Sequence, residues 1–448
     1  MQPQSSARSS PKYRANRAQT HHNAFKEAPI WLLVQPIRAI LTSVALLLLG
    51  SGLLNTLLSL TANDLGYSTS VIGLIMSSYF AGFTCGTFVS GRLIKRMGHI
   101  RTFAFCAAVC ASMALLHMLW VSAPGWMLLR FVYGLSFVTL MTVIESWLNA
   151  RAAREERGKV FAVYMVVNLG AIAVAQQLLR LDVGQGYVLF AIASILISWA
   201  LLPITITRKP QPQIPERAKS SLRTLLGFAP VPVAGAALSG LAMGAFWGMV
   251  PLYASRQGFD TGAVGLLMSL TIVGGALLQV PIGRYSDTHD RRAVLMAVAC
   301  AAALLALCMP LAPGHTALMA VFFLWGGMAF SLYPLAVAQL LDQLHPDEVI
   351  SGTTTMLVLH GAGAAFAPML AGAAMEVVGL QGLPLYAALV LACLGGFTLY
   401  QMRRVSVLPA GEHAHFEPMV ATSHEVLGMI EKEDEEKEEE KAEEPAAA

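Results

Sequence analysis

The chain has 448 residues, of which 56% are hydrophobic and only 13% are charged, and its formal net charge is +3. Soluble domains carry about 25% charged residues, so this composition excludes an ordinary soluble protein. The basic residues lie in the tails and the short loops. Their distribution indicates a role in membrane orientation and argues against nucleic-acid binding.

Apolar runs of about 20 residues make up most of the chain, and each is long enough to cross about 30 Å of hydrocarbon as a helix. The runs are continuous rather than alternating, so they predict helices and not the strands of a barrel. Twelve spans are predicted, near residues 37–61, 71–91, 101–121, 125–148, 160–180, 186–206, 229–254, 263–283, 292–311, 315–341, 352–375 and 383–402.

The same runs predict the domain organisation of an all-α membrane protein with two six-helix halves. A polar tail over 1–36 precedes an N-terminal half over 37–206. A linker over 207–228, rich in Pro, Lys and Arg, leads to a C-terminal half over 229–402. Both tails, 1–36 and the acidic 403–448, are predicted to be solvated and disordered, because such polar and charged segments cannot bury enough apolar surface.

An internal repeat relates the two halves. Residues 66–77 (GYSTSVIGLIMS) match residues 258–269 (GFDTGAVGLLMS) at an offset of 192 residues, since 258 − 66 = 192. The same offset, without a gap, places Gly91 on Gly283. Gly91 opens a basic, glycine-bounded stretch (91–101) between two apolar runs. The repeat therefore predicts that this hinge marks the same corner in each half.

The basic residues also predict the orientation of the chain. Twelve spans place both termini on one side, and the loops expected on the other side hold only Arg180 and Arg256. By the positive-inside rule the basic side is cytoplasmic, so both termini are expected there. The basic segments on that side are the N-terminal tail, 92–101, 151–159, 208–223, 284–292 and the pair Arg403-Arg404.

Several classes of function leave no signal in this sequence. Walker A, HExxH, GxSxG and heme-attachment patterns are absent, which argues against an ATP-driven pump and an enzyme. The six cysteines all fall inside apolar runs, where buried thiols are expected, and no CxxC pattern suggests a metal site. We therefore expect no metal and no cofactor.

The chain resembles the major facilitator superfamily over nearly all of residues 37–402. That family has a glycine-led loop pattern, G-x-x-x-D-R-x-G-R-R, between spans 2 and 3 and a weaker copy between spans 8 and 9. Here the second copy, which opens at Gly283, keeps the acid as Asp287, whereas the first copy has Lys95 in its place. Span 4 carries Arg130 and Gly134, which resemble the family's R-x-x-x-G motif.

Two further features narrow the resemblance. Span 5 lacks the G-P-x-x-G-G motif of drug/proton antiporters, and the sequence ESWLN over residues 145–149 accompanies the basic hinge. Together they resemble the YcaD-like subgroup of bacterial members. The resemblance implies two halves that rock about a central site near the membrane midplane.

Charged residues inside spans are costly and are expected to face such a cavity. Arg130 is the only Lys or Arg deep in a predicted span, and it is expected to meet an anionic group of the substrate or to tune a proton site. The alternatives are snorkelling to the interface or a structural partner such as Asp64. Glu145 is a candidate proton carrier, or an interfacial acid paired with Arg151 or Arg154.

Other polar and aromatic residues could also serve the pathway. His360 in span 11 could titrate at working pH or could be a structural, hydrogen-bonded histidine. Because spans 1 and 5 usually line the cavity in this family, Asn55, Asn168 and Gln176 are the first candidates to bind a ligand, although each could instead hold helices together. Trp247 and Tyr333 could stack against an apolar solute or simply pack.

The repeated loops are predicted to form a cytoplasmic gate. In this family the acid of the first loop typically faces the start of span 11 in the outward-open state, where a lysine would be repelled by the helix end. Here that start carries Asp347 and Glu348, so Lys95 is predicted to pair with them, and Asp287 with the segment around Arg157. Lys95 could instead serve only the charge bias. The gate residues are Gly91, Arg92, Lys95, Gly283, Arg284, Asp287, Arg157, Asp347 and Glu348.

The sequence therefore predicts a monomeric secondary transporter of the bacterial inner membrane. It would move a small organic solute by alternating access. Because no nucleotide-binding motif is present, an ion gradient is expected to drive transport, and H⁺ is favoured because a Na⁺ site would need unwound backbone carbonyls that the sequence does not show. Its expected partners are the solute, H⁺ and the lipid bilayer, with no nucleic acid. The alternative function is a non-transporting membrane sensor or scaffold that uses its charged tail to bind partners.

Overall fold

The computed structural model describes residues 30–151, 157–181, 186–206, 222–344 and 349–404, together with positions 416, 418 and 419. Within these residues the chain is helical and contains no strand. Twelve of the described helices are long and apolar enough to cross a membrane, which agrees with the twelve spans predicted. Long apolar helices suit a bilayer because each satisfies its own backbone hydrogen bonds.

The spanning helices divide into two sets of six. The N-terminal half contains α1 (Ile30–Asp64), α2 (Thr69–Met97), α3 (His99–Leu119), α4 (Ala123–Arg151), α5 (Arg157–Gln177) and α6 (Tyr187–Trp199). The C-terminal half contains α7 (Pro230–Arg256), α8 (Thr261–Asp287), α9 (Arg291–Cys308), α10 (His315–Leu341), α11 (Val349–Val378) and α12 (Gly382–Arg404). A 3-10 turn over Leu178–Leu181 follows α5, a five-residue helix over Leu201–Thr205 continues α6, and a short helix over Leu222–Phe228 precedes α7.

The repeat seen in the sequence produces the same local structure twice. Ser68 caps the N-terminus of α2 and Asp260 caps that of α8, and each side chain accepts a hydrogen bond from a backbone N–H three residues later. Gly66 and Gly258 precede these caps with φ of 76° and 87°, a backbone conformation that glycine adopts without steric penalty. The matched glycines therefore turn the chain identically before the second helix of each half.

Glycines at matched positions also bring helices into close contact. A methyl group on Gly134 would collide with the carbonyl oxygen of Tyr79, so α4 and α2 pack backbone to backbone there. A methyl group on Gly326, which lies 192 residues further along, would collide with the carbonyl oxygen of Thr271, so α10 and α8 do the same. Small residues permit this approach in the absence of a hydrophobic driving force between helices.

The basic hinge differs in one respect from its prediction. The sequence suggested a hinge bounded by Gly91, but α2 continues through Gly91 and ends at Met97. The chain turns at Gly98, whose φ is 79°. Gly91 keeps an ordinary helical backbone and needs no special conformation there, so only the second glycine of the stretch breaks the helix.

The bundle has a charged end and an opposite end. The charged end carries Arg92, Lys95, Arg96, Arg101, Arg151, Arg284, Asp287, Asp290, Arg291, Arg292, Arg403 and Arg404, and the helices α1 and α12 begin and finish there. The opposite end carries the turns after α1, α3, α7 and α9. Because the chain crosses an even number of times, both described termini of the bundle lie at the charged end.

Hydrogen bonds join the two halves toward the opposite end. The hydroxyl oxygen of Ser77 in α2 accepts from the N–H of Met369 in α11 at 2.9 Å. Ser269, at the matched position in α8, donates to the carbonyl of Ala173 in α5 at 2.7 Å. Each half thus uses the same position to hold the other half, and the bundle is closed at this end.

Three positions of the C-terminal tail are described, and two of them are buried. Phe416 is 8% exposed and Met419 is 4% exposed, and both belong to the apolar core. This burial differs from the solvated tail expected over 403–448. Two apolar residues of a tail can bury their side chains even where the acidic composition of the tail as a whole predicts exposure.

Candidate functional site

A cavity of about 170 Å³ lies between the two halves. This volume has room for on the order of ten water molecules, since one water molecule needs about 10–15 Å³. Residues of α1, α2, α4 and α5 face it from one half and residues of α7, α10 and α11 from the other. The lining residues are Leu48, Ser51, Gly52, Asn55, Tyr79, Phe80, Phe83, Phe137, Met141, Asn168, Ile172, Met243, Gly244, Trp247, Ala329, Phe330, Tyr333, Leu357, His360, Gly361, Ala364 and Met419.

Five of the predicted pathway residues line this cavity: Asn55, Asn168, Trp247, Tyr333 and His360. They come from both halves and from five different helices, so the cavity brings together positions up to 305 residues apart, from Asn55 to His360 (360 − 55 = 305). Their convergence on one space fits a central binding site.

Two of the lining residues have polar atoms without a partner. Neither amide atom of Asn168 has a hydrogen-bond partner, although the side chain is fully buried. The hydroxyl of Tyr333 is also buried and unpartnered. Buried polar groups are nearly always hydrogen-bonded, so these two groups, one on each half, are available to a ligand. His360 differs, because its Nδ1 lies 3.1 Å from the hydroxyl of Ser239.

Arg130 is buried beside the cavity but does not line it. Its guanidinium donates to Oδ1 of Asn55 at 2.6 Å and lies over the ring of Tyr79, with 4.5 Å from its central carbon to the ring centre. Asn55 and Tyr79 do line the cavity, so they separate the cation from it. Among the described residues Arg130 forms no ion pair with a carboxylate.

Gln176 and Glu145, which were also predicted pathway residues, lie outside the cavity lining. Gln176 accepts from the hydroxyl of Thr56 at 2.6 Å, so it joins α5 to α1 within one half. Glu145 is fully buried in α4 and accepts from the hydroxyl of Tyr164 at 2.6 Å. Gln176 thus has the helix-holding contact that was its predicted alternative, whereas the role of Glu145 stays a prediction.

The aromatic wall of the cavity was not singled out by the sequence. Tyr79, Phe80 and Phe83 of α2 and Phe137 of α4 all line it. Tyr79 lies 6.2 Å from both Phe83 and Phe137, ring centre to ring centre. An aromatic residue within an apolar run gives no sign of its direction, so only the rotation of the helix shows that it faces the cavity.

One predicted gate residue of the second half, Asp287, takes part in a charge network at the charged end. Arg291 contacts Asp287 at 3.0 Å and Asp342 at 2.9 Å, which links α8, α9 and α10. Nearby, Asp290 caps α9. Burial raises the pKa of Asp290, but hydrogen bonds from the side chain and the N–H of Arg292 outweigh this effect and lower the pKa below its usual value.

The predicted gate pairs are not tested by these contacts. Asp347 and Glu348 lie outside the described residues, and the side chain of Arg157 does too. Asp287 is held here by Arg291 and by the N–H of Phe416, at 3.0 Å in each case. The pairs were predicted for a conformation open at the opposite end, which is the end that is closed here.

No group of three or more His, Cys, Asp or Glu side chains that could hold a metal is found in the part of the chain that the structure describes. The six cysteines occur as free thiols. The site is therefore built from apolar, aromatic and neutral polar groups, with one buried cation behind it.

A helical membrane bundle of two matched halves with a cavity between them is an architecture found in many secondary transporters. The sequence profile of the Major Facilitator Superfamily matches residues 40–260 and 232–429 of this chain. The two stretches cover most of the chain and both halves. The chain belongs to the Major Facilitator Superfamily, and it is a multi-pass membrane protein.

Curated relatives agree with this assignment. The chain is 28% identical over 347 residues to the uncharacterized MFS-type transporter YcaD of Escherichia fergusonii, which covers 77% of this chain and 90% of the relative. It is also 28% identical over 351 residues to YcaD of Salmonella typhi, with 77% and 90% covered. The YcaD-like resemblance predicted from the hinge and residues 145–149 is thereby confirmed.

Solved structures show the same fold. The nucleoside transporter NupG superposes with a TM-score of 0.67 at 16% identity and covers 85% of this chain and all of that one (100%). A bacterial homolog of the human lysosomal transporter Spinster, in an inward-facing and occupied conformation, gives 0.68 at 13% identity over 86% and 100%. The D-xylose-proton symporter gives 0.62 at 14% identity over 82% and 97%.

Proposed function

We propose that this protein is a proton-coupled secondary transporter for a small organic solute with an apolar body and an electron-rich polar end. The observation that carries the proposal is the cavity between the halves, in which the buried polar atoms of Asn168 and Tyr333 have no partner. A ligand that hydrogen-bonds both groups would bridge the two halves, because one belongs to each.

The walls of the cavity support an apolar or aromatic solute body. Most lining side chains are aliphatic or aromatic, and Phe83, Phe137, Trp247 and Phe330 present rings to the space. Ligand sites of this kind bury most of the ligand against apolar walls and use few polar groups to fix its orientation. A highly polar solute would lose its hydration here without enough partners to replace it.

The position of Arg130 supports a solute whose polar end is electron-rich or anionic. It is buried and has no carboxylate partner among the described residues, so its charge is offset only by Asn55 and Tyr79. An uncompensated buried cation creates a positive potential in low-dielectric surroundings. Because no acid lines the cavity in the described part of the chain, an anion is favoured there and a cation is disfavoured.

Transport by alternating access is supported by the arrangement of the halves. They are closed toward the opposite end by matched contacts, such as those of Ser77 and Ser269. Rocking of the two halves about the cavity would break these contacts and close the charged end instead. The charge sorting along the chain supports a charged end that faces the cytoplasm of a bacterial cell.

Proton coupling is supported by two titratable side chains. His360 lines the cavity, and Glu145 lies fully buried in α4 with Tyr164 as a hydrogen-bond donor. Ionisable residues within spans commonly mark proton relays. A proton carried together with an anionic solute would also reduce the charge that crosses the hydrocarbon.

The test is ligand-induced stabilisation of the purified protein by three probes of one size: benzoate, benzamide and benzylamine. A ligand that binds the native state raises its apparent stability. We expect benzoate to stabilise most, benzamide less and benzylamine not at all. Asn168→Leu should remove the response to benzoate and to benzamide, because both amide atoms in the cavity are lost.

Arg130→Gln supplies the test of charge selectivity. It should reduce the benzoate response to that of benzamide, since the cation is gone but a hydrogen-bond donor remains. Arg256→Gln is the matched control, because Arg256 also donates to an asparagine, Asn63, but lies at the exposed opposite end. Equal responses to benzylamine and benzoate, or no effect of Asn168→Leu, would overturn the proposed substrate class.

A further inference from the structure

Three residues on one face of α8 contact Phe416 and Met419, which together with Pro418 are the described positions of the C-terminal segment. They are Gln279, Gly283 and Asp287, and their spacing of four residues aligns them along the helix. The N–H of Phe416 donates to Oδ1 of Asp287 at 3.0 Å. The carboxamide nitrogen of Gln279 donates to the carbonyl of Met419 at 3.2 Å.

These contacts show how the segment enters the bundle. Asp287 lies at the charged end, and Gln279 lies eight residues, or about 12 Å, further inside along the helix. Phe416 binds at the outer position and Met419 at the inner one, so the segment runs from the charged end toward the centre. Met419 also lines the cavity between the halves. The segment therefore lies between the cavity and the charged end.

The face of α8 suits a short apolar peptide. A carboxylate accepts a backbone N–H, and a carboxamide donates to a backbone carbonyl, so both ends of the segment are fixed through its main chain. Between them Gly283 has no side chain, and the ring of Phe416 occupies the space that a methyl group there would fill. Phe416 and Met419 are 8% and 4% exposed, so both side chains are buried where the segment contacts α8.

The matched face of α2 lacks both hydrogen-bonding side chains of this site. At an offset of 192 residues, Thr87 replaces Gln279 and Lys95 replaces Asp287. A lysine ammonium has no acceptor for a backbone N–H. Gly91 matches Gly283, but a methyl group added to it would meet nothing within 4 Å. Because the first half has a lysine in place of the acid, only α8 of these two matched helices offers this binding face.

We propose that the Gln279–Gly283–Asp287 face is a binding site for Phe416 and Met419 of the chain's own C-terminal segment, and that these docked residues close the cavity at the charged end. Displacement of the segment opens the cavity to solutes from that side. The proposal concerns access to the cavity and does not require that the cavity bind the proposed solute. Its tests therefore use chemistry that is independent of transport.

The first test is cross-linking in the full-length protein with the six native cysteines replaced. Gly283→Cys combined with Phe416→Cys should form a disulfide under mild oxidation, detected by mass spectrometry of the digested protein. The matched control is Gly91→Cys combined with Phe416→Cys, which should form at most a tenth as much. Equal yields in the two pairs would overturn the docking.

The second test measures access to the cavity. Ser51→Cys, in the same cysteine-free background, supplies a thiol in the cavity wall for labelling by a membrane-impermeant maleimide added to the charged end. Phe416→Ala with Met419→Ala should raise the labelling rate at least fivefold, because the docked side chains are removed.

Gly283→Ala should also raise the rate, because its methyl group displaces the Phe416 ring. Gly91→Ala, the same substitution at the matched position, should leave the rate unchanged. An unchanged rate in the double alanine variant would overturn closure by the segment, even if cross-linking shows that the segment docks.

Discussion

The amide nitrogen of Asn55 donates to the backbone carbonyl of Trp247 at 2.8 Å, and the two residues lie 192 residues apart, which is the offset of the internal repeat. Equivalent positions of the two halves thus touch each other across the interface. The other amide atom of Asn55 accepts from Arg130 at 2.6 Å. One side chain therefore joins the halves and also holds the buried cation beside the cavity.

This relationship predicts a large effect of Asn55→Leu on stability. Leucine removes the acceptor of the Arg130 guanidinium and the donor to Trp247. Loss of a hydrogen bond to a buried charged group lowers the free energy of unfolding by about 1.5–3 kcal/mol. The measurement is thermal unfolding of the purified protein. Asn63→Leu is the control, because Asn63 also accepts from an arginine, Arg256, but at an exposed site, and it should cost less than about 1 kcal/mol.

Replacement of Arg130 should separate transport from folding. Arg130→Ala should insert and express but lose most uptake of any solute found by the stability screen. Arg130→Lys should recover little, because an ammonium cannot present the planar group that donates to Asn55 while stacking on Tyr79. Uptake in proteoliposomes provides the measurement, and normal uptake by Arg130→Ala would contradict a transport role.

Replacement of Glu145 should test proton coupling. Glu145→Gln keeps an oxygen that can accept from the Tyr164 hydroxyl but cannot carry a proton. We expect uptake driven by an imposed pH gradient to fall at least tenfold while exchange of solute across the membrane continues. Tyr164→Phe is the control, because it removes the hydrogen bond between Tyr164 and Glu145 but leaves the carboxyl group of Glu145. If Glu145→Gln responds fully to the gradient, Glu145 is not the proton carrier.

The predicted lock at Lys95 can be tested by a double-mutant cycle. Lys95→Glu should favour opening at the charged end by about two- to fivefold, since an exposed ion pair contributes about 0.5–1 kcal/mol. Adding Asp347→Lys and Glu348→Lys should restore the balance. The measurement compares thiol labelling from the two sides of the membrane. Strictly additive effects would show that these groups do not interact.

The charge sorting predicts that both termini are cytoplasmic. Epitope tags before residue 1 and after residue 448 should be protected from external protease in intact cells and accessible in inverted membrane vesicles. A tag within the turn at Trp120, at the opposite end, should show the reverse pattern. External cleavage of either terminal tag in intact cells would contradict the predicted orientation.

The sequence by itself determined the spans, the duplication and the family. Hydrocarbon offers no hydrogen bonds to a backbone, so a long apolar run in a membrane forms a helix, and the length of the run alone identifies the span. The offset of 192 residues likewise predicted that Ser68 and Asp260, or Gly91 and Gly283, would occupy matched places. These features depend on residues near one another in the chain.

Only the tertiary structure decided which polar residues face the cavity. Asn168 and Gln176 lie on the same helix and looked equivalent in the sequence, yet one faces the cavity without a partner and the other binds Thr56. The rotation of each helix is set by its packing against several neighbours, and a run that is apolar all round does not encode it. The contact of the Phe416 ring with Gly283 joins residues that are 133 positions apart (416 − 283), so neither segment of the sequence predicts this contact alone.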